Sequence, residues 1–142
     1  MILVDANLLI YAAHRQAPSH PRAREWLEST LNEVPRVGIP WSSLWAFVRI
    51  TTNPRLLNPP LSTEAAWEYV EDWLDAESVW VPGPTEAHRK TLGQLLKLTA
   101  ASGAKAMDAA VASIAIEHGL TLCTTDSDFA AFPGLRWKNP IA

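Results

Sequence analysis

Four aspartates carry the first chemical signal in the chain. Asp5 directly follows the apolar run Met1-Ile2-Leu3-Val4, and Asp126 and Asp128 directly follow Leu120 to Thr125. Asp108 sits in oily surroundings, Ala106-Met107-Asp108-Ala109-Ala110-Val111. Carboxylates gathered in one place repel: a pair ~4 Å apart costs about 4 kcal/mol at an effective dielectric of about 20. A fold tolerates such a cluster when protons or cations neutralise it. All-oxygen donors favour the hard ions Mg2+ or Mn2+ over zinc. Two such ions can generate hydroxide from bound water and stabilise the leaving oxygen of a phosphodiester. Each acid also has a plainer reading. Asp5 and Asp128 could each cap a helix, and Asp108 could be a first-turn carboxylate favoured by the helix dipole. Joint placement at one edge favours a shared site.

The acids meet only if the elements bearing them do. Leu3-Val4 begins a strand that stops at Asp5, and Leu8 to Tyr11 starts a short helix. Pro18 to Leu31 has helical spacing in Ala23, Trp26, Leu27, Thr30 and Leu31. Val37 to Pro40 is a second strand, and Ser42 or Ser43 caps a helix closed by Asn53-Pro54. Leu61-Ser62-Thr63 opens a helix with the stripe Ala66, Val70, Trp73 and Leu74. Ser78 to Val81 is strand-like and ends at Pro82-Gly83-Pro84. Leu92, Leu95, Leu96 and Thr99 share a helix face, and Ala106 to His118 is an Ala-rich helix with Gly119 at its end. Leu120 to Thr124 reads as a strand buried on both faces. Asp128 to Phe132 is a helical turn, and Leu135 to Trp137 the last strand.

Short strands separated by helices predict crossover connections and a parallel sheet covered on both sides. The expected fold is therefore α/β, three layers around a parallel sheet of about five strands. Ligands in such sheets bind outside the carboxyl ends of the strands. Asp5 and Asp126 both lie at such ends, and Asp108 lies at the start of the helix feeding the fourth strand.

Bulk properties agree with a globular domain. At 142 residues, 48% hydrophobic and 19% charged, the chain suits one domain over residues 1–142. The single Cys123 sits in an apolar run, where a buried inert thiol is the default. One cysteine allows no internal disulfide, which fits a cytoplasmic protein. No stretch approaches the ~18 apolar residues that span a bilayer, so no membrane partner is expected. Net charge is −3, which on its face disfavours nucleic acid. With the four candidate acids set aside, 11 acids face 12 bases. Cations bound by those four would leave a surface that no longer repels a polyanion.

The ordered motifs resemble a PIN domain of the VapC toxin ribonuclease type. The resemblance rests on Leu3-Val4-Asp5-Ala6-Asn7-Leu8-Leu9-Ile10, Phe47 to Arg55, Met107-Asp108-Ala109-Ala110, Thr124-Thr125-Asp126-Ser127-Asp128-Phe129, and Phe132 to Trp137. Each motif alone is weak; their order and spacing over nearly the whole chain are specific. The resemblance implies Mg2+-dependent endonucleolytic cleavage of RNA, with transfer or ribosomal RNA as substrate. It also implies a homodimer and inhibition by a cognate VapB-type antitoxin. Carried over by position, Asp5, Asp108 and Asp126 fall on the acidic metal site, with Asp128 as an auxiliary acid. Asn7 matches a polar residue that could orient Asp5 or water, and Thr124 a hydroxyl residue two before the third acid.

One departure stands out. Ala46 occupies a position where many relatives carry Glu. Alanine binds no metal, and Ser43 one turn back is the candidate for holding a metal-bound water. A pseudonuclease that binds RNA or antitoxin without turnover is therefore the rival reading. Arg49, Arg55 and Lys105 are candidate phosphate contacts, Lys105 alternatively a partner of the acids. The seven Trp residues are expected in the core or at an interface, and His14, His20 and His88 on the surface. A phosphotransfer protein is disfavoured, because Asp5-Ala6-Asn7 lacks a second Asp and Asp126 follows the fourth strand.

Overall fold

The computed structural model describes residues 1–142. Strand β1 (Ile2–Val4) stops at Asp5 because the Asp5 carboxylate accepts the Ala6 amide and starts α1 (Ala6–Ala13). Then come α2 (His20–Glu33), β2 (Val37–Gly38), α3 (Trp41–Thr51), α4 (Thr63–Asp75) and β3 (Val79–Trp80). The chain continues through α5 (His88–Thr99), α6 (Ala104–His118), β4 (Thr121–Cys123), a 3-10 turn over Ser127–Ala131, and β5 (Trp137–Lys138). Gly119 ends α6 at φ 67°, a left-handed conformation in which a side chain would be strained.

The five strands form one sheet in the order β3-β2-β1-β4-β5, and every pairing is parallel. Strand order therefore reverses between β1 and β4, and all carboxyl ends leave on one edge. The pleat sends alternate residues to opposite faces. Val4 and Cys123 join an apolar cluster with α1 to α4, while Leu3 and Leu122 join a second with α5 and α6. The expected three-layer α/β/α architecture is what the chain adopts. Cys123 is buried, and burial pushes its thiol up to about 11.

Several boundaries differ from the sequence reading by one or two residues, and three of them have a clear cause or consequence. Strand β5 begins two residues later than expected, because the Leu135 amide is still bonded to Phe132 in the turn around Gly134. Helix α3 begins at Trp41 with Pro40 in the cap position and no side-chain cap. Ser43 is instead buried, its hydroxyl donating to the Val4 carbonyl at 2.8 Å. Helix α6 begins at Ala104, so Asp108 lies just past the first turn.

Candidate active-site groove

Parallel pairing of β1 with β4 places Val4 opposite Cys123, so Asp5 and Thr124 emerge side by side. A hydrogen-bonded ring follows. The Thr124 hydroxyl donates to Asp5 Oδ2 at 2.8 Å and accepts from Asn7 Nδ2 at 3.0 Å and from the Asp126 amide at 3.0 Å. Asn7 Nδ2 also reaches Asp5 Oδ2 at 3.3 Å, and its Oδ1 accepts the Thr125 amide at 3.3 Å. Asp5 Oδ1 is spent on the Ala6 amide at 2.8 Å. Asn7 and Thr124 therefore hold the Asp5 carboxylate in one orientation across the switch point of the sheet. Asp126 caps the 3-10 turn, its Oδ1 accepting the Asp128 amide at 2.9 Å. Capping and clustering coexist here, because each carboxylate has a second oxygen.

Asp5, Asp108 and Asp126 line one groove of about 810 Å3 together with residues of α1 and α3. The electrostatics record the crowding. Burial pushes the Asp5 carboxyl above its usual range; the Thr124 and Ala6 hydrogen bonds lower it, and the Asp126 charge raises it again. Asp108 is pushed up to about 6, chiefly by burial, then by the charges of Asp5 and Asp126, with Lys105 opposing and Asp128 adding. The groove is short of positive charge on its acidic side. Its donors are carboxylate, amide and hydroxyl oxygens, with no thiolate or imidazole, a set that fits a hard divalent ion and not zinc. No three His, Cys, Asp or Glu side chains stand close enough together, as placed, to enclose one ion. The acids share a groove and a field, but not a closed coordination sphere.

The opposite wall is α3, and it carries no acid. Ser42, Trp45, Ala46, Arg49 and Ile50 face the groove from it. Arg49 is exposed and forms none of the three ion pairs in the chain. The Ser43 hydroxyl spends its hydrogen on the Val4 carbonyl, so toward the groove it offers only its lone pairs beside Ala46. Trp45, expected in the core or at an interface, is 66% exposed at the groove.

Asp128 and Lys105 stand apart from this centre. Both line an adjoining recess that Asp108 shares, and neither lines the main groove. They pair with each other at 3.6 Å, with side chains 64% and 63% exposed respectively. Asp128 does not cap its own turn; Asp126 does.

A second carboxylate network went unread in the sequence. Glu117, near the end of α6, accepts the Thr85 amide and hydroxyl at 2.9 and 2.7 Å, the Ser113 hydroxyl at 2.6 Å, and contacts His88 Nδ1 at 2.6 Å. Its side chain has no exposed surface. Burial raises its carboxyl, and these bonds more than offset that, leaving it at about 2. His88 is thus not a free surface residue. The available signal was Ser113 and Glu117 at i,i+4 on an otherwise apolar helix face.

Comparison with known proteins agrees with this fold. The PIN domain family matches residues 2–135. Ribonuclease VapC37 of Mycobacterium tuberculosis is 39% identical over 142 residues, covering 100% of this chain and 99% of that protein. Ribonuclease VapC33 of the same species is 37% identical, with 99% of each chain covered. Among solved structures, M. tuberculosis VapC20, described as a sarcin-ricin loop cleaving toxin, superposes with TM-score 0.70 at 18% identity, covering 96% of this chain and 99% of that one. The DNA-bound VapBC2 of Rickettsia felis superposes with TM-score 0.69 at 19% identity and 98% coverage of both chains. At such identities the structures speak for the fold alone.

Proposed function

The chain belongs to the PIN domain family, in its VapC-type toxin branch, and from that premise we propose that it is a divalent-metal-dependent endoribonuclease that hydrolyses RNA phosphodiesters. The observation that carries this reading is the meeting of Asp5, Asp108 and Asp126, distant in sequence, in one groove opposite an unpaired Arg49. Asp5, Asp108 and Asp126 would hold Mg2+ or Mn2+ after a change of side-chain rotamer. Bound there, the ion supplies electrophilic activation of phosphate and of water. Asn7 and Thr124 fix the orientation of Asp5, so that only part of the donor set must rearrange. Arg49 pairs with a phosphate oxygen through its planar fork and fixes the RNA backbone against the acids. Asp128 and Lys105, set to one side, adjust the field at Asp108.

The names of the relatives support a ribonuclease toxin paired with a VapB-type antitoxin; a homodimer acting in the cytoplasm on transfer or ribosomal RNA is what the family resemblance adds to the proposal. No helix is long and apolar enough to cross a membrane. A weakened, RNA-binding pseudonuclease is the second reading, and Ala46 favours it because α3 offers the groove no carboxylate. Purified protein incubated with transfer and ribosomal RNA decides between them. Mg2+-dependent cleavage that stops with chelator and with Asp108→Asn supports the nuclease. Tight RNA binding with intact product at every Mg2+ concentration supports the rival.

A further inference from the structure

A divalent ion at crowded acids is held by the carboxylate oxygens that the protein itself leaves free, and here few are. Asp5 Oδ1 accepts the Ala6 amide, and its Oδ2 already takes the Thr124 hydroxyl and the Asn7 side-chain amide. Asp126 Oδ1 accepts the Asp128 amide. No hydrogen-bond donor addresses Asp108; burial and neighbouring charges act on it instead. The free oxygens are therefore those of Asp108 and the Oδ2 of Asp126. A hard octahedral ion keeps several waters and takes one or two carboxylates, so this set serves one ion. A second ion needs a further acid.

Helix α3 does not supply one, since Ala46 faces the groove from it. Asp128 is the remaining candidate, and with Asp108 it lines the adjoining recess. That recess holds a cation of the chain's own. Lys105 Nζ lies 3.6 Å from Asp128 Oδ2. Lys105 and Asp108 are three residues apart on α6 and so share a helix face. Among the charged groups that act on Asp108, Lys105 alone is positive. A divalent ion shared by Asp108 and Asp128 would have to displace this ammonium or lie against it, and like charges that close repel. As an exposed pair, Lys105 and Asp128 add little to folding; their placement beside Asp108 is what matters. We infer that Lys105 is a resident cation that does the work of a second metal ion, so that the groove binds one divalent ion per chain while Asp128 is kept by the ammonium. The inference rests on the divalent-metal reading above and goes beyond it by fixing the number of ions and the role of Lys105.

The test counts Mn2+ on the full chain without RNA, by electron paramagnetic resonance of the free ion and by calorimetry. The unmodified chain should take up one ion, and Lys105→Arg, which keeps the charge, should do the same. Lys105→Met frees Asp128 and should add a second ion. That ion should bind about tenfold more tightly than any second ion on the unmodified chain, the size expected when a unit charge is removed beside a divalent one in partly solvated surroundings. Adding Asp128→Asn to Lys105→Met should return the count to one. Two ions on the unmodified chain overturn the inference and leave the metal reading standing. So does a single ion on Lys105→Met at unchanged affinity, the result expected if Lys105 is only a surface pair or a phosphate contact. No Mn2+ on the unmodified chain removes the metal reading itself, and the inference with it.

Discussion

Asp108 and Glu117 lie nine residues apart on the same helix, and their surroundings push them in opposite directions. Asp108 is raised to about 6 by burial and three neighbouring acids. Glu117 is more fully enclosed, yet falls to about 2 because Ser113, His88 and Thr85 all address it. Burial alone therefore does not decide the charge of a carboxylate; the donors supplied to it do. At Glu117 the chain supplies donors in full, and the result is a staple between α6 and the segment leading into α5. At Asp108 it withholds them, and the carboxyl rises to about 6 instead.

The widest contrast comes from neutralising each acid. Asp108→Asn should lower RNA cleavage by on the order of a hundredfold or more, yet raise stability. Solvent screening leaves a relief of about 1 kcal/mol, roughly 2–4 °C in Tm. A thermal melt showing destabilisation would mean that Asp108 is a structural residue like Glu117.

Glu117→Gln should do the reverse, costing about 3 kcal/mol in denaturant unfolding while cleavage per folded molecule is retained. The pH profiles separate the two acids further. A depressed folded-state pKa means that the Glu117 contribution is present above its ordinary 4.5 and is lost as pH falls through about 2. The stability gap between the unmodified chain and Glu117→Gln should therefore be flat above pH 4.5 and close in stronger acid. Asp108 is raised from 3.8 to about 6, so its protonated form favours folding below pH 3.8 and that advantage disappears as pH rises through 6. Asp108→Asn should thus gain on the unmodified chain across that interval.

Thr124→Val is a smaller perturbation that keeps the shape of a buried side chain and removes the hydroxyl joining Asp5, Asn7 and Asp126. Cleavage should drop roughly tenfold, as when a group orienting a metal ligand is lost. Divalent-ion affinity measured by calorimetry should fall in parallel, which a purely structural role would not produce. Least affected should be Lys105→Gln. Its pair with Asp128 is exposed at both ends, so unfolding free energy should move by less than about 0.5 kcal/mol.

The legible part of this molecule was the part that periodicity controls. Strand ends are marked by where apolar alternation stops, so Asp5 and Asp126 could be placed at the sheet edge before any coordinates. Helix α6 bears Asp108 because an Ala-rich helix must lead into a strand buried on both faces. Side-chain direction off irregular backbone was not legible. Asp126 and Asp128 are two residues apart, yet one enters the groove and the other turns away with Lys105, because a 3-10 turn separates them. Ser43 read as a cap or a water holder, but the nearness of α3 to β1 captured its hydroxyl. The Glu117 network joins three elements, so nothing in a local window pointed to it beyond the i,i+4 serine.

The first and fourth strands are neighbours in space, yet almost the whole chain separates them. Asp5 leaves the ribosome well before Thr124, which follows it by 119 residues. Until β4 docks beside β1, Asp5 has neither the hydroxyl that orients it nor the acid that crowds it. A chain stopped before β4 therefore holds an isolated helix cap where the longer one holds an oriented carboxylate among other acids. The order of synthesis delays its assembly until β4 has been made.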